Sequence, residues 1–321
     1  MSGVTPLKVA AWANLRICAG LVGRAWSECA VIPQSFELHF HVARLRNNGC
    51  VIRLVATDLD GTFWDASFVP PSSHVMVVSE LMKADVTVLA ATSRRPRHVR
   101  KRLCDAGLLL PAVLIDGSLG VDFRSDERFH QACFDSEAAL GMLMTFRAHG
   151  LDPCIYVEHP DFDIVVSESP STCAAHLARL GPDASTGDLE VTTSTSAIYA
   201  FSVLGLSRER LSPVLDELVQ INDASAILYR EPVYGQFGLI VNPPGISKWT
   251  GIEAYCRLHD IEPKEVMAVG DGLNDIPMLQ HAGVAVAVRG GAPETIAVSQ
   301  YLIDPPTLSG WTQIFDLLVQ Y

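Results

Sequence analysis

A chain of 321 residues, 49% of them hydrophobic and with a mean hydropathy of +0.23, has enough apolar surface for one large or two medium cores, which excludes global disorder. Its formal net charge of -12 argues against a protein whose work is to track a nucleic-acid backbone, so any anionic substrate has to be met by local positive charge. No stretch reaches the roughly 18 uninterrupted apolar residues that a membrane-spanning helix needs, and the chain reads as soluble, without a membrane partner.

The eight cysteines are scattered, and none forms a C-x-x-C pair of the kind that holds zinc or does redox chemistry. They read as reduced thiols of a cytoplasmic protein. Residues 1–50 carry five Lys or Arg against two Glu, whereas the remainder is strongly acidic. This basic leader reads as an extension upstream of the folded protein, an organellar transit peptide being the alternative, and folding is expected to begin near Val51.

In chain order, the apolar run 51–57 ends in acidic and glycine residues, as a buried parallel strand does where it stops at a functional loop. A helix is expected over 72–84, capped by Ser72 or Ser73, then a strand over 86–91, a helix over 95–106 and a strand over 112–115. Residues 118–244 have a different cadence: helices near 136–149, 171–179 and 208–221, with strands near 154–157, 163–166, 197–203, 226–230 and 237–241. From Lys248 the first rhythm returns, with helices over 249–258, 275–281 and 311–319 and strands over 266–269 and 284–288. The fold class is therefore α/β, a Rossmann-like parallel-sheet core made of residues 51–117 and 245–321, with an α+β domain inserted at 118–244.

Asp58-Leu59-Asp60-Gly61-Thr62 places two carboxylates two residues apart directly after the first strand. A carboxylate such as Asp58 can attack phosphorus and form an acyl phosphate, while Asp60 is suited to protonate the departing alkoxide and then to deprotonate water. Gly61 lets the backbone turn and leaves amides free for an anion. Two carboxylates repel a dianionic phosphate, so a divalent cation held with Asp58 and Asp60 is expected, and magnesium suits oxygen ligands of this kind.

This loop resembles motif one of the haloacid dehalogenase superfamily, in the form kept by its phosphatases. Ala91-Thr92-Ser93-Arg94 resembles motif two, which implies that the hydroxyl of Thr92 or Ser93 holds the phosphoryl group. Gly245-Ile246-Ser247-Lys248 resembles motif three, and Lys248 would neutralise charge on the nucleophile and the phosphoryl group. Gly270-Asp271-Gly272-Leu273-Asn274-Asp275 resembles motif four, which implies that Asp271 ligates magnesium, Asp275 completes or orients the metal shell and Asn274 donates to the phosphoryl group. Asp116 and Trp249 stand where relatives often have Asn and Gly.

The size and position of the insert resemble the type-two (IIB) cap of the Cof-like subfamily, which implies small phosphorylated metabolites as substrates, sugar phosphates first among them. His159, Arg230 and Tyr234 are the cap residues singled out for substrate contact. A phosphotransferase or mutase on the same scaffold, and a catalytically weak sensor of a phosphorylated ligand, are the competing functions. Nothing in the sequence fixes the oligomeric state.

Overall fold

The computed structural model describes residues 46–47, 50–221, 224–230 and 234–319. The readings of the leader, an upstream extension or a transit peptide, fall almost wholly outside them. In chain order a short ribbon, β1 (Arg46–Asn47) and β2 (Cys50–Val51), precedes β3 (Leu54–Thr57), α1 (Ser72–Lys83), β4 (Thr87–Ala91), α2 (Pro96–Asp105), β5 (Pro111–Leu114) and the hairpin β6 (Leu119–Asp122) and β7 (Glu127–Gln131). Next come α3 (Ser136–Ala148), β8 (Cys154–Val157), β9 (Ile164–Val166), α4 (Ala174–Leu180), β10 (Ala184–Thr186), α5 (Leu189–Thr195), β11 (Ile198–Leu206), α6 (Arg208–Ile221), β12 (Ser225–Arg230) and β13 (Phe237–Asn242). The chain closes with α7 (Lys248–Leu258), β14 (Val266–Gly270), α8 (Ile276–His281), β15 (Val284–Val288), α9 (Pro293–Ala297), β16 (Tyr301–Ile303) and α10 (Gln313–Val319).

These strands form an eight-stranded sheet, ordered β16-β15-β14-β3-β4-β5-β6-β7, and a six-stranded sheet, ordered β10-β9-β8-β11-β13-β12. The large sheet is parallel from β16 to β5. Strands β3, β14 and β15 are buried at every position, which is why they read as unbroken apolar runs: helices cover both faces. Leu54, Ala56 and Ala268 pack against Trp249, Ile252, Met278 and Leu279 of α7 and α8, while Val55, Val88 and Val269 share the opposite cluster with Val78, Leu81 and Val99 of α1 and α2.

Two details differ from expectation. The hairpin 119–131, placed in the insert by the sequence, is hydrogen-bonded antiparallel to β5 and extends the large sheet. Its outer strand is polar and half exposed, so no apolar run announced it. Ser72 and Ser73 do not cap α1: Pro71 holds the cap position with no side-chain bond, and the Ser73 hydroxyl donates to Ser309 Oγ instead.

The small sheet has its own core on one face, where Phe146, Leu211, Val214 and Leu218 of α3 and α6 meet Ile155, Phe201, Val203, Leu239 and Val241. Its other face, carrying Cys154, Tyr156, Ala200 and Ile240, joins the cluster of the large sheet. The chain crosses between the sheets at 132–135 and 243–247. Buried bonds fasten this crossing: Asn242 Nδ2 donates to Ile115 O and Ser118 Oγ, and Ser118 Oγ donates to Tyr199 O. Gly117, at φ +111, lies so close to the Ser247 carbonyl that no side chain fits there.

Candidate active site

Parallel neighbours β3 and β14 end side by side, with Val269 opposite Thr57, so the loops beginning at Asp58 and Asp271 leave the sheet together. Asp58 N–H donates to Val269 O at 2.8 Å, which fixes the first residue of the acidic loop. Strand β4, on the other side of β3, delivers Thr92, and the Asp116 N–H donates to the Thr92 carbonyl. The site therefore lies at the carboxyl ends of the strands, where open α/β sheets bind ligands.

Lys248 opens α7. Ser247 sits at the N-cap in an extended conformation, and its N–H donates to Thr250 Oγ1 at 3.1 Å, so the helix start is fixed. The Lys248 ammonium is fully buried and donates to Asp58 Oδ1 and Asp275 Oδ1, both at 2.6 Å. Asp275 Oδ2 accepts the N–H groups of Asp271 and Gly272 at 2.9 and 2.8 Å. Asp271 Oδ1 accepts from the Thr62 hydroxyl at 2.6 Å.

Asp58, Asp271 and Asp275 each bring one carboxylate oxygen within 4.8 Å of the others. All three donors are hard oxygens, a set that suits magnesium rather than zinc or copper. Both oxygens of Asp275 are already engaged, which makes it the residue that orients Asp271 and Lys248. Asp58 and Asp271 are the carboxylates better placed to present an oxygen to a cation. The Asp60 carboxylate, expected among the ligands, lies outside this trio: Trp64 Nε1 donates to its Oδ1 at 3.0 Å and Arg94 Nε to its Oδ2 at 2.5 Å.

Electrostatics agree with this division. Burial pushes the Asp58 carboxyl well above the usual carboxylate range despite Lys248 beside it, with Asp275 and Asp271 adding repulsion. Burial and then Asp275 push Asp271 up to about 7, against the Thr62 hydrogen bond. Burial alone would lower the Lys248 pKa, but Asp275 and Asp58 outweigh it and hold the ammonium charged. One buried ammonium among three carboxylates leaves an excess of negative charge, which a divalent cation at Asp58 and Asp271 would relieve.

Gly61 is required by this packing. It has φ +85, and a Cβ there would lie 2.6 Å from Asp271 Oδ2. Thr92 is fully buried, and its Oγ1 accepts the Arg94 N–H at 3.2 Å. Ser93 is partly exposed on the same turn. Asn274 Nδ2 donates to Asp116 Oδ1 at 2.8 Å, and burial raises the pKa of that carboxyl.

The structure scatters the three cap residues chosen from sequence. His159 stacks on Phe162 with ring centroids 3.8 Å apart, Arg230 is exposed at the end of β12, and Tyr234 faces His176 at 5.6 Å. The sequence reading missed Arg94 as the partner of Asp60 and Thr62 as the partner of Asp271. Thr62 belonged to the quoted loop, but a pairing across 209 residues leaves no trace in spacing.

The family model for haloacid dehalogenase-like hydrolases matches residues 55–310, from the first core strand past the last. The chain belongs to this family. Among curated proteins, a phosphoglycolate phosphatase of Methanoculleus marisnigri is 39% identical over 66 residues, 21% of this chain and 28% of that protein. A putative phosphatase of Mycoplasma pneumoniae is 22% identical over 249 residues, 73% of this chain and 86% of that protein. The chain spans less than a third of the length of several curated relatives that it matches. A solved sugar phosphatase of the haloacid dehalogenase superfamily, subclass IIB, superposes with a TM-score of 0.67 at 22% identity, covering 82% of this chain and 98% of that one. The haloacid dehalogenase fold, inserted domain included, is thus shared with that enzyme.

Proposed function

We propose that this protein is a magnesium-dependent phosphatase that hydrolyses a small phosphorylated metabolite, a sugar phosphate by preference, through a phosphoryl intermediate on Asp58. The observation that carries this reading is the buried Lys248 ammonium bonded to both Asp58 and Asp275, with Asp271 adjoining. A strand-end carboxylate fixed by an ammonium, beside a hard-oxygen cation site, is suited to attack phosphorus. The sugar phosphatase and phosphoglycolate phosphatase relatives support the substrate class.

In this reading the Asp58 carboxylate attacks phosphorus, and an acyl phosphate forms as the P–O bond to the alcohol breaks. Lys248 offsets charge on Asp58 and on the transferred phosphoryl oxygens, and Thr92 Oγ1 and the loop amides bind those oxygens. Asp60, aimed by Trp64 and Arg94, gives a proton to the leaving alkoxide and then takes one from the water that attacks the acyl phosphate. Asp58 and Asp271 would hold magnesium, which would supply charge neutralisation for the approach of the dianion. The cap sheet roofs the site and limits water and substrate size.

The test is phosphate release from p-nitrophenyl phosphate and a panel of sugar phosphates, with magnesium and with chelator. Turnover is expected with magnesium, and Asp58→Asn should lower it by about a thousandfold or more, as loss of a nucleophile does. Turnover that survives the substitution would refute the assignment.

A further inference from the structure

A second concentration of charge lies between the two sheets, beside Asp60. Arg94, whose Nε holds Asp60, also lays its guanidinium over the ring of Phe68, 4.2 Å from the centroid. Phe68 lies in the loop that begins at Asp58 and leads to α1, and it is 5% exposed. Over the same ring, at 4.7 Å, lies the guanidinium of Arg179 from α4 of the cap, which also sits 5.8 Å from the ring of Tyr234. A core arginine and a cap arginine thus meet across one aromatic ring.

Three neighbouring cations are committed: Arg95 pairs with Asp163 and Asp183, Arg97 with Asp163, and Arg94 with Asp60. Arg102 of α2, farther from the Phe68 ring at 6.0 Å, has no carboxylate partner among the described residues. Arg179, which reaches the ring from the other sheet's side, is exposed, lies closer to the ring than Arg102 and has no carboxylate partner among the described residues. Seated by two aromatic rings, it keeps its fork of donors for an incoming anion. His176, buried one turn earlier on α4, reports the local field, since burial and then Arg95, Arg94 and Arg179 pull its pKa down to about 4. In a chain of net charge -12 this positive cleft stands out.

Its side of the site follows from the chemistry. In an in-line displacement the alcohol oxygen departs away from Asp58 and must lie within reach of Asp60, so groups beside Asp60 surround the alcohol half of the substrate. We infer that Arg179 is a specificity-determining residue that receives a second anionic group on that half, so that the preferred substrates are phosphomonoesters whose alcohol portion itself carries a carboxylate or a phosphate. This inference rests on the phosphatase reading of Asp58 and Asp60.

The experiment compares kcat/KM for esters with a second charge, 2-phosphoglycolate and a sugar bisphosphate, with kcat/KM for glucose 6-phosphate and p-nitrophenyl phosphate, which have none. Wild type, Arg179→Gln and Arg179→Lys are measured. The ratio of the two classes should fall about tenfold or more in Arg179→Gln, mostly through KM, and recover in part in Arg179→Lys, because a charge-assisted contact is lost and then partly restored. The carboxylate and bisphosphate arms show which anion is taken. A loss of equal size in both classes, or a ratio that does not move, overturns the inference. Calorimetric binding of the same esters to Asp58→Asn protein, with and without Arg179→Gln, separates the two readings. A chain that hydrolyses none of them, yet binds the doubly charged esters about tenfold more weakly without Arg179, refutes the catalytic reading and keeps the subsite.

Discussion

Lys248 is the residue on which the charge balance of the site turns. Its fully buried ammonium is the partner of two carboxylates from different loops, and those carboxylates are themselves buried. Removing one member of a buried ion-paired group leaves the others uncompensated, at a typical cost of 3–5 kcal/mol. Lys248→Met should therefore destabilise the protein by about 3 kcal/mol in urea denaturation without magnesium. A loss below about 1 kcal/mol, the range of an exposed pair, would mean that the cluster does not depend on this lysine. Asp60 shows the converse arrangement: it is half exposed and held from the flank by Arg94 and Trp64, as suits the acid-base role proposed for it.

At the scale of elements, what was legible follows from burial. Strands covered on both faces, such as Val266–Gly270 and Val284–Val288, are written in apolar residues throughout, and their periodicity placed the loops that carry Asp58 and Asp271. Two edge strands were not legible: β7 reads Glu-Arg-Phe-His-Gln and β10 Ala-Ser-Thr, with too little burial to demand a pattern, whereas the edge strand β12 was read from its apolar run. Helix α5 was hidden for another reason, since Val191, Thr192, Thr193 and Thr195 favour a strand and the helix depends on the Asp188 cap and on packing of Leu189. The acidic trio was legible as motifs, but the bonds from Arg94 to Asp60 and from Thr62 to Asp271 needed coordinates. The closing segment shows how packing supports the site from behind. Trp311 is fully buried, meets Phe63 edge-on at 4.9 Å and donates from Nε1 to Thr57 Oγ1, one residue before Asp58. Trp311→Ala should cost about 3–5 kcal/mol, read as a lowered thermal midpoint, through lost transfer energy and the cavity left behind. An unchanged midpoint would show that this tryptophan does not brace β3.

For the whole molecule, the two sheets divide the labour. The large parallel sheet brings Asp58, Thr92, Lys248 and Asp271 together from segments far apart in sequence, and the inserted sheet turns a face carrying Tyr156 and Ala200 toward it. Buried bonds from Asn242 and Ser118 fix the crossing between them, so the positive cleft around Arg179 keeps its place beside Asp60. The central claim is that this assembly makes Asp58 a phosphoryl acceptor. The most direct measurement is mass spectrometry of protein quenched in acid during turnover with magnesium, using Asp60→Asn to slow breakdown of the intermediate. A phosphoryl adduct is expected on the peptide that carries Asp58, lost in Asp58→Asn. Turnover with no adduct on that peptide, or with the adduct on another residue, would contradict the claim.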